Sequence, residues 1–498
     1  MTSSHVLTRR EFGLLATLGL SSGLPLTALA SDAGVDVDVD WRSSNPFLSG
    51  NFLPVKKETQ AAPLKVSYGK IPKQLDGTYL RNGPNPLFEP LAYTYPLDGD
   101  GMIHAVRLQD GQASYRNRFV QTSALALERR AGRAVYGSVV RPAPVPPELL
   151  LPPDSRFLKN GACINVIRHG DHLLALGEAN TVYELNEDLD TLGLWKAGRA
   201  EPIRMGAHNR RHPKTGDLYA MEYSVQQPIV KFYRINPSGL LLSTSSVTLP
   251  VPMMIHDFVL TERHIVLVAG PAVFDFEAAQ SKRTSPLQWR PELGTRIAAI
   301  PLDGEPPIWF QTDAFFVYHF ANAFERRGQI VVDYVMHDKF TLQSENRANF
   351  TRLTLDLARR AVAIERVSDE QTEFPRINHL REALPTRFSY MPVKTASLKV
   401  PGAPSAVFNC VVRHDGDSGN ATRFDAGNMI LGEAAFVPRP GATREDHGYL
   451  ATFAYDPIRE SSAFMLINAA RLAEGPVVVV DLPQRVPQGL HGNWVTRI

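Results

Sequence analysis

The feature that most constrains the fold of this chain is a long succession of short apolar runs separated by turn-forming residues. Their length and their content of Val, Ile, Tyr and Phe are typical of β-strands. The clearest runs are residues 172–176, 229–235, 240–249, 264–269, 330–335, 407–412, 449–455 and 477–481. The connectors carry turn sequences such as NPSG at 236–239 and DG at 415–416. Because few stretches keep a 3.6-residue apolar period, the chain is predicted to be all-β.

The spread of these runs favours a closed or radially repeated fold over a parallel α/β sheet, because no helices alternate with the strands. The 498 residues exceed one β-sandwich several times over, and no linker divides them. The proline-rich piece at 141–153 is expected to be a loop, since strand-like runs continue on both sides of it. A β-propeller is therefore the predicted architecture.

Charge and cysteine content exclude some classes of function. The chain has 53 Lys or Arg and 51 Asp or Glu, a formal net charge of +2, so no basic field is present to bind nucleic acid. Cys163 and Cys410 lie too far apart for a metal-binding motif, and we expect two buried apolar side chains. One disulfide in an oxidising compartment is the alternative.

The first thirty residues have the pattern of an export signal. TRREF at 8–12 precedes an apolar run, and ALA at 28–30 is a cleavage pattern. We therefore expect a twin-arginine signal peptide over 1–30 and a periplasmic or exported protein. A membrane anchor is the alternative, but the apolar run is short and broken by Gly and Pro. Residues 31–62 are predicted to be an extended arm and 63–498 a single domain.

Four of the fourteen histidines stand in unusual surroundings: His208, His256, His319 and His491. Their spacing rules out a helical zinc motif. Residues so far apart can meet only if separate strands lead to one axis, as the inner strands of a propeller do. Taken singly, each histidine is more often a structural residue than a ligand, and the spacing alone does not reverse that preference.

Seven motifs resemble, in the same order, those of the carotenoid cleavage oxygenase family. They are YLRNGPNP at 79–86, DGDGMIH at 98–104, AHNRRHPKTG at 207–216, IHDF at 255–258, HFANAFE at 319–325, EFPRIN at 373–378 and HGNW at 491–494. This resemblance covers nearly the whole chain after the signal. It implies a seven-bladed β-propeller in which loops and short helices form a dome over the metal site on the axis.

The resemblance also implies a metal site. Its ligands would be His208, His256, His319 and His491, holding one non-haem Fe(II) per chain with positions left for dioxygen. Three glutamates would accept the N–H groups of ligand rings and fix their tautomers: Glu178, Glu373 and Glu433.

The function implied is oxidative cleavage of a C=C bond in a carotenoid or apocarotenoid to two carbonyl products, with O₂ as co-substrate. Relatives that cleave phenolic stilbenes place a Lys before the first of these glutamates, whereas this chain has Gly177 there. A stilbene dioxygenase is the runner-up, and an exported propeller that binds a ligand without turnover is the alternative from another class. A zinc hydrolase is disfavoured, because four His ligands would close a zinc site.

Three positions depart from the family pattern. After His208, Asn209 replaces the usual Pro and His212 stands where Asp is common, which makes His212 a rival ligand. The PKTG sequence at 213–216 nevertheless predicts that His212 begins a turn. Glu433 is followed by Ala434 rather than Pro.

Leu149, Leu150 and Leu151 form an apolar projection in the proline-rich loop. We expect this projection to be a membrane contact and a lip through which an apolar polyene or stilbene reaches the site. A loop tucked into the protein is the alternative.

Overall fold

The computed structural model describes residues 45–151, 158–278, 285–342, 346–400 and 407–496. Seven antiparallel sheets form the blades of a propeller, which confirms the predicted fold class. The first strands of several neighbouring blades contact one another, so these strands surround one axis. The predicted signal peptide, 1–30, and the predicted arm up to residue 44 lie outside the described residues.

Blades 2 to 5 are four-stranded meanders. Blade 2 contains Asn165–His169, His172–Leu176, Tyr183–Leu185 and Thr191–Leu194. Blade 3 contains Asn209–Arg211, Leu218–Tyr223, Ile229–Ile235 and Leu241–Thr248. Blade 4 contains Val259–Leu260, His264–Ala269, Thr295–Pro301 and Ile308–Thr312. Blade 5 contains Phe320–Arg326, Gln329–His337, Ala348–Asp356 and Ala361–Gln371.

The other three blades include the strands that close the ring. Blade 6 contains Phe388–Val393, Cys410–Asp415 and Ala421–Asp425. Blade 7 contains Val66–Gly69, Ile430–Leu431, Ala435–Pro438, Gly448–Asp456, Ser461–Asn468 and Pro476–Asp481. Blade 1 contains Gln60–Ala61, Gly77–Arg81, Met102–Gln109, Gln112–Phe119 and Gly492–Thr496. Blades 1 and 7 thus each pair an N-terminal strand with a C-terminal one, which closes the ring by hydrogen bonds.

The connections between strands carry the remaining regular structure. Two small sheets pair Asn180–Thr181 with Arg204–Met205 and Ala272–Phe274 with Leu287–Trp289. Helix α1, Ser123–Ala131, is capped by the Thr122 side chain, which accepts from Leu125 N–H, and it ends at Gly132 with φ 67°. Short 3-10 helices lie at Pro46–Leu48, Gly50–Phe52, Pro147–Leu149, Pro291–Leu293, His379–Arg381 and Ala469–Glu474. Within the described residues, none of these helices is long and apolar enough to cross a membrane.

One predicted strand is shifted along the chain. The run 407–412 predicts a strand from its first residue, but the observed strand is Cys410–Asp415. The buried Asn409 side chain explains the later start, because its Nδ2 donates to Gly427 O at 2.7 Å and to Thr395 Oγ1 at 2.8 Å. Asn409 therefore holds two loops together just before the strand begins.

The compact unit begins at Pro46, earlier than the expected boundary between an arm at 31–62 and a domain at 63–498. The ring of Phe47 stacks on that of Tyr95, with centroids 4.8 Å apart. The rings of Phe52 and Tyr95 pack edge to face, with centroids 5.1 Å apart. Farther along, Val55 N–H donates to the Asn85 side chain at 2.8 Å. The aromatic contacts and the blade 1 strand Gln60–Ala61 attach residues 46–62 to the propeller. The second half of the expected arm is therefore part of the propeller.

Cys163 and Cys410 are both free and buried. Burial raises the pKa of each thiol to about 12, so both are protonated and unreactive at neutral pH. The prediction of two buried apolar side chains is confirmed.

Candidate metal centre

The four histidines singled out in the sequence lie just before the first strands of four blades. His208 precedes Asn209–Arg211 in blade 3, His256 precedes Val259–Leu260 in blade 4, His319 precedes Phe320–Arg326 in blade 5, and His491 precedes Gly492–Thr496 in blade 1. All four are buried, and one ring nitrogen of each lies within 4.8 Å of those of the others. The propeller thus gathers them into one group, the four-histidine cluster, which can hold a metal ion.

Three of the cluster rings are held by glutamates. Each contact joins a ring Nδ1 to a carboxylate oxygen: His256 with Glu178 at 2.7 Å, His491 with Glu433 at 3.0 Å, and His319 with Glu373. An ionised carboxylate only accepts hydrogen bonds, so each of these rings carries a proton on Nδ1. In the neutral rings the Nε2 lone pair is then free to face the cluster.

The Nε2 atoms face one another in two close pairs. They are separated by 3.1 Å between His208 and His256 and by 3.2 Å between His319 and His491. Two lone pairs at this distance repel each other unless a proton or a cation lies between them. Two imidazoles on one ion, with N–metal bonds of about 2.1 Å at a right angle, would have nitrogens about 3.0 Å apart. The donor set therefore fits a divalent metal ion.

His208 differs from the other three in its surroundings. Among the described residues, the carboxylate nearest to its Nδ1 is Asp257, at 3.9 Å, which is too far for a hydrogen bond. Asp257 instead accepts from Arg210 Nη2 at 2.5 Å and from Phe320 N–H at 3.1 Å. Burial, and then the other cluster rings, lower the pKa of His208 well below its usual range, which keeps this ring neutral.

Burial and nearby charge act differently on the remaining groups. Burial lowers the pKa of His491, although Glu433 opposes it. Burial acts in the same direction on His256, but Glu178 outweighs it and the pKa is raised. For Glu433, burial alone would raise the pKa, yet Arg376 and His491 lower it to about 2. This carboxylate is therefore ionised at neutral pH and can hold an imidazole N–H.

The structure does not bring the rival ligand His212 to the cluster. Its Nε2 lies 3.0 Å from Glu262 O, and its Nδ1 accepts from Thr215 N–H at 3.2 Å. Nδ1 thus closes the turn after the strand Asn209–Arg211, as the PKTG sequence predicts, and Nε2 joins that turn to the main chain at Glu262. His208, four residues earlier in the chain, is the residue that lies in the cluster.

Two aromatic residues beside the cluster did not emerge as site residues from the sequence. The ring centroid of Tyr318 lies 5.5 Å from that of His256, and the Phe374 centroid lies 4.9 Å from that of His319. Tyr318 precedes His319 and Phe374 follows Glu373 in the chain. This adjacency to predicted site residues was the signal that the sequence offered. Their rings place aromatic surface beside the cluster.

Two polar residues were also missed. Arg376 Nε lies 3.6 Å from Glu433 Oε1, and His337 Nε2 lies 2.5 Å from Glu373 Oε1. Arg376 belongs to the EFPRIN motif, so its position was visible in the sequence. His337 follows the predicted strand 330–335 by two residues, and a polar residue at the end of an apolar run was its only signal.

A mostly apolar cavity opens onto the cluster. Three cluster residues line its wall: His256, His319 and His491. Its apolar wall includes Phe47, Leu97, Ile164, Leu342, Phe408 and Leu490. Phe47 precedes the first strand and the other five residues come from connections between strands, so these segments lie beside the cluster. No Lys or Arg occurs among the described residues that line the cavity. An elongated apolar molecule could reach the cluster here without meeting a cation.

The structure places the three leucines of the proline-rich loop away from this cavity. Leu149 and Leu150 are partly buried and pack against apolar side chains of helix α1, including Ala124 and Leu127. Leu151 is 55% exposed. The expectation of an apolar projection made of three residues is therefore wrong for Leu149 and Leu150, because the helix offers them an apolar surface.

Known proteins of one family match this chain over most of its length. The family model described as retinal pigment epithelial membrane protein matches residues 52–496. A carotenoid cleavage oxygenase of Mycobacterium tuberculosis is 32% identical, with 91% of this chain and 98% of that protein covered. Carotenoid 9,10(9',10')-cleavage dioxygenase 1 of Pisum sativum is 29% identical, with 96% and 95% covered.

Solved structures with the same fold include two kinds of oxygenase. The lignostilbene dioxygenase of Pseudomonas brassicacearum superposes with a TM-score of 0.83 at 27% identity, with 91% of this chain and 99% of that chain covered. Cobalt-substituted apocarotenoid oxygenase of Synechocystis superposes with a TM-score of 0.80 at 27% identity, with 91% and 98% covered.

Proposed function

Because this chain belongs to the carotenoid cleavage oxygenase family, we propose that it is a non-haem Fe(II) dioxygenase acting on a carotenoid or apocarotenoid. The four-histidine cluster would hold the iron. When bound, Fe(II) supplies the dioxygen chemistry that cleaves a C=C bond and adds one oxygen atom to each of the two carbonyl products. The mostly apolar cavity that opens onto the cluster is the observation that carries this proposal.

The residues of the chain have a positioning task in this reaction. Glu178, Glu373 and Glu433 accept the Nδ1–H groups of three rings and so aim the Nε2 atoms at the metal. The rings of Tyr318 and Phe374 and the apolar wall exclude water and hold the polyene beside the cluster. No acid or base is required at the bond that is cut, which agrees with an apolar wall.

A phenolic stilbene is the second candidate substrate, since the resveratrol cleavage oxygenase 1 of Aspergillus fumigatus is 28% identical. A phenolate would need a cation nearby, and the described cavity wall offers neither Lys nor Arg. Gly177, which precedes Glu178, has no side chain to supply one. We therefore favour the polyene.

We expect the reconstituted protein to cleave an apocarotenal at least about 10-fold more efficiently, in kcat/KM, than a hydroxylated stilbene. A missing hydrogen bond to a charged group costs about 1.5–3 kcal/mol, which corresponds to about 10- to 150-fold. Under ¹⁸O₂, each carbonyl product should gain one ¹⁸O atom when it is reduced immediately to the alcohol to prevent exchange with water. Mass spectrometry of both products measures this incorporation.

Two results would overturn parts of the proposal. A higher kcat/KM for the stilbene would assign the site to phenolic substrates. If iron-loaded protein binds a polyene but consumes no O₂, the chain is a ligand-binding propeller without turnover.

We also propose that the chain is exported by the twin-arginine route and contacts a membrane. The TRREF sequence at 8–12 and the ALA sequence at 28–30 support export. The need to take a polyene out of a bilayer supports the contact, and Leu151 is the exposed member of the proline-rich loop.

We expect Leu151→Ser to weaken sedimentation with phosphatidylcholine and phosphatidylglycerol vesicles by about 5-fold. Burying about half of a leucine side chain stabilises membrane binding by about 1 kcal/mol. The control is Leu192→Ser, because Leu192 is 63% exposed but lies on the strand Thr191–Leu194 of blade 2. Equal binding of the Leu151→Ser variant and the unchanged protein would exclude this loop as the membrane contact.

A further inference from the structure

His337 is a buried histidine outside the four-histidine cluster. It is the last residue of the strand Gln329–His337 and is 7% exposed. Its Nε2 lies 2.5 Å from Oε1 of Glu373, whose other oxygen, Oε2, bonds to Nδ1 of His319. One carboxylate therefore joins two imidazoles, of which one belongs to the cluster and the other does not.

The backbone of His337 is attached to the segment that carries His319. Phe316 N–H donates to His337 O, and His337 N–H donates to Phe316 O, both at 2.9 Å. Val335 N–H donates to His319 O at 3.0 Å. The two histidines are thus fixed to each other by the main chain, and Glu373 closes the link between their side chains.

In the described parts of the chain, the side chain of His337 is the hydrogen-bond donor to the second oxygen of Glu373, Oε1. Phe374 N–H, at 2.6 Å, donates to the same oxygen as His319 does, Oε2. In Glu433 the second oxygen is held by the main chain, since Gly492 N–H donates to it at 2.7 Å. A main-chain donor survives any substitution, whereas the donor to Glu373 Oε1 is a side chain.

We propose that His337 is a positioning residue of the metal centre. By donating to Oε1 it prevents the Glu373 carboxylate from rotating, and the carboxylate in turn keeps the His319 ring aimed at the metal. Without this donor, Oε1 would lose its hydrogen bond in a side chain that is only 15% exposed, and an unpaired carboxylate oxygen is costly there. This inference rests on the proposed function, because it requires that the cluster binds iron.

The test compares Fe(II) binding by the full chain under anaerobic conditions. His337→Phe keeps an aromatic ring but removes the donor, and we expect the Kd for Fe(II) to rise about 10- to 100-fold. His337→Gln restores an N–H donor, and its Kd should stay within about 3-fold of the original. The EPR spectrum of the nitric oxide adduct should change in rhombicity for the Phe variant but not for the Gln variant.

His264→Phe is the matched control. His264 is also a buried histidine bonded to a glutamate, with its Nδ1 3.0 Å from Glu325 Oε1, but neither residue contacts the cluster. This variant should lose stability without a change in the Kd or the spectrum. If His337→Phe does not fold, His337→Met removes the donor with a smaller side chain and takes its place.

The outcomes separate the two proposals. An unchanged protein that binds no Fe(II) overturns the proposed function itself. Normal iron binding by the unchanged protein, together with a Kd and a spectrum that stay the same in His337→Phe or His337→Met, overturns the role of His337. An equal rise of the Kd for Fe(II) in His337→Phe and His337→Gln would also overturn the role of His337, because loss of the hydrogen bond would then not be the cause.

Discussion

Alanine replacement of any one residue of the four-histidine cluster is expected to reduce bound iron from near-stoichiometric to background and to abolish C=C cleavage. Loss of a residue that only orients a ligand already costs about 10- to 100-fold in metal affinity, and loss of the ligand itself costs at least as much. Three converging lone pairs would remain in a buried site, where a metal bound by fewer ligands is less well compensated for its lost hydration. Elemental analysis of protein purified without oxygen measures the iron content.

His212→Ala is the control for this series. His212 is as buried as the cluster residues, but its Nδ1 is used in the turn at 212–216 and its Nε2 bonds to the main chain of Glu262. This variant should keep its iron and its activity even if its stability falls. If His212→Ala lost iron while His208→Ala kept it, the assignment of the first ligand would be reversed.

Replacement of Lys159 by Met is expected to lower the free energy of unfolding by about 3–5 kcal/mol. Lys159 Nζ lies 2.7 Å from Asp100 Oδ1 and 2.6 Å from Glu128 Oε2. Both carboxylates are almost completely buried. Burial opposes the charge of Lys159, but the two carboxylates outweigh it and raise its pKa, which shows how strongly the three groups depend on one another. The variant would leave two buried carboxylates without their cation.

Urea denaturation of the metal-free full chain, followed by tryptophan fluorescence, measures this effect. The control is Lys214→Met, because Lys214 forms an ion pair of similar length, 2.9 Å, with Glu262, but its side chain is 74% exposed. An exposed pair contributes about 0–1 kcal/mol. Similar urea midpoints for the two variants would show that the buried triad does not stabilise the connection between helix α1 and the DGDG segment at 98–101.

Much of the fold was predictable because the relevant signals are local. Strand length, β-branched and aromatic content and turn residues all lie within a few positions of one another, so runs such as 229–235 and 264–269 became strands at the predicted bounds. The family motifs added the number of blades. The shifted strand at Cys410–Asp415 and the early start at Pro46 depend on long-range contacts of Asn409 and of Phe47, which no local pattern reveals.

The candidate site was predictable in its residue types but only partly in its connections. Histidines before inner strands and glutamates in known motifs could be named from the sequence. Asp257 is next to His256 in the chain, yet it is bonded to Arg210 rather than to His208, and this choice depends on how two blades meet. The burial of Leu149 and Leu150 likewise depends on the position of helix α1.

The sequence by itself determined that this chain is all-β, that it carries the motifs of an oxygenase family, and that four particular histidines are its candidate ligands, since these properties reside in short segments. Only the tertiary structure decided between His208 and His212, gathered residues 283 positions apart in the chain, from His208 to His491, within 4.8 Å, and linked His337 to His319 through Glu373. The physical reason is that ring closure of the propeller, not local propensity, sets which strand ends share the axis.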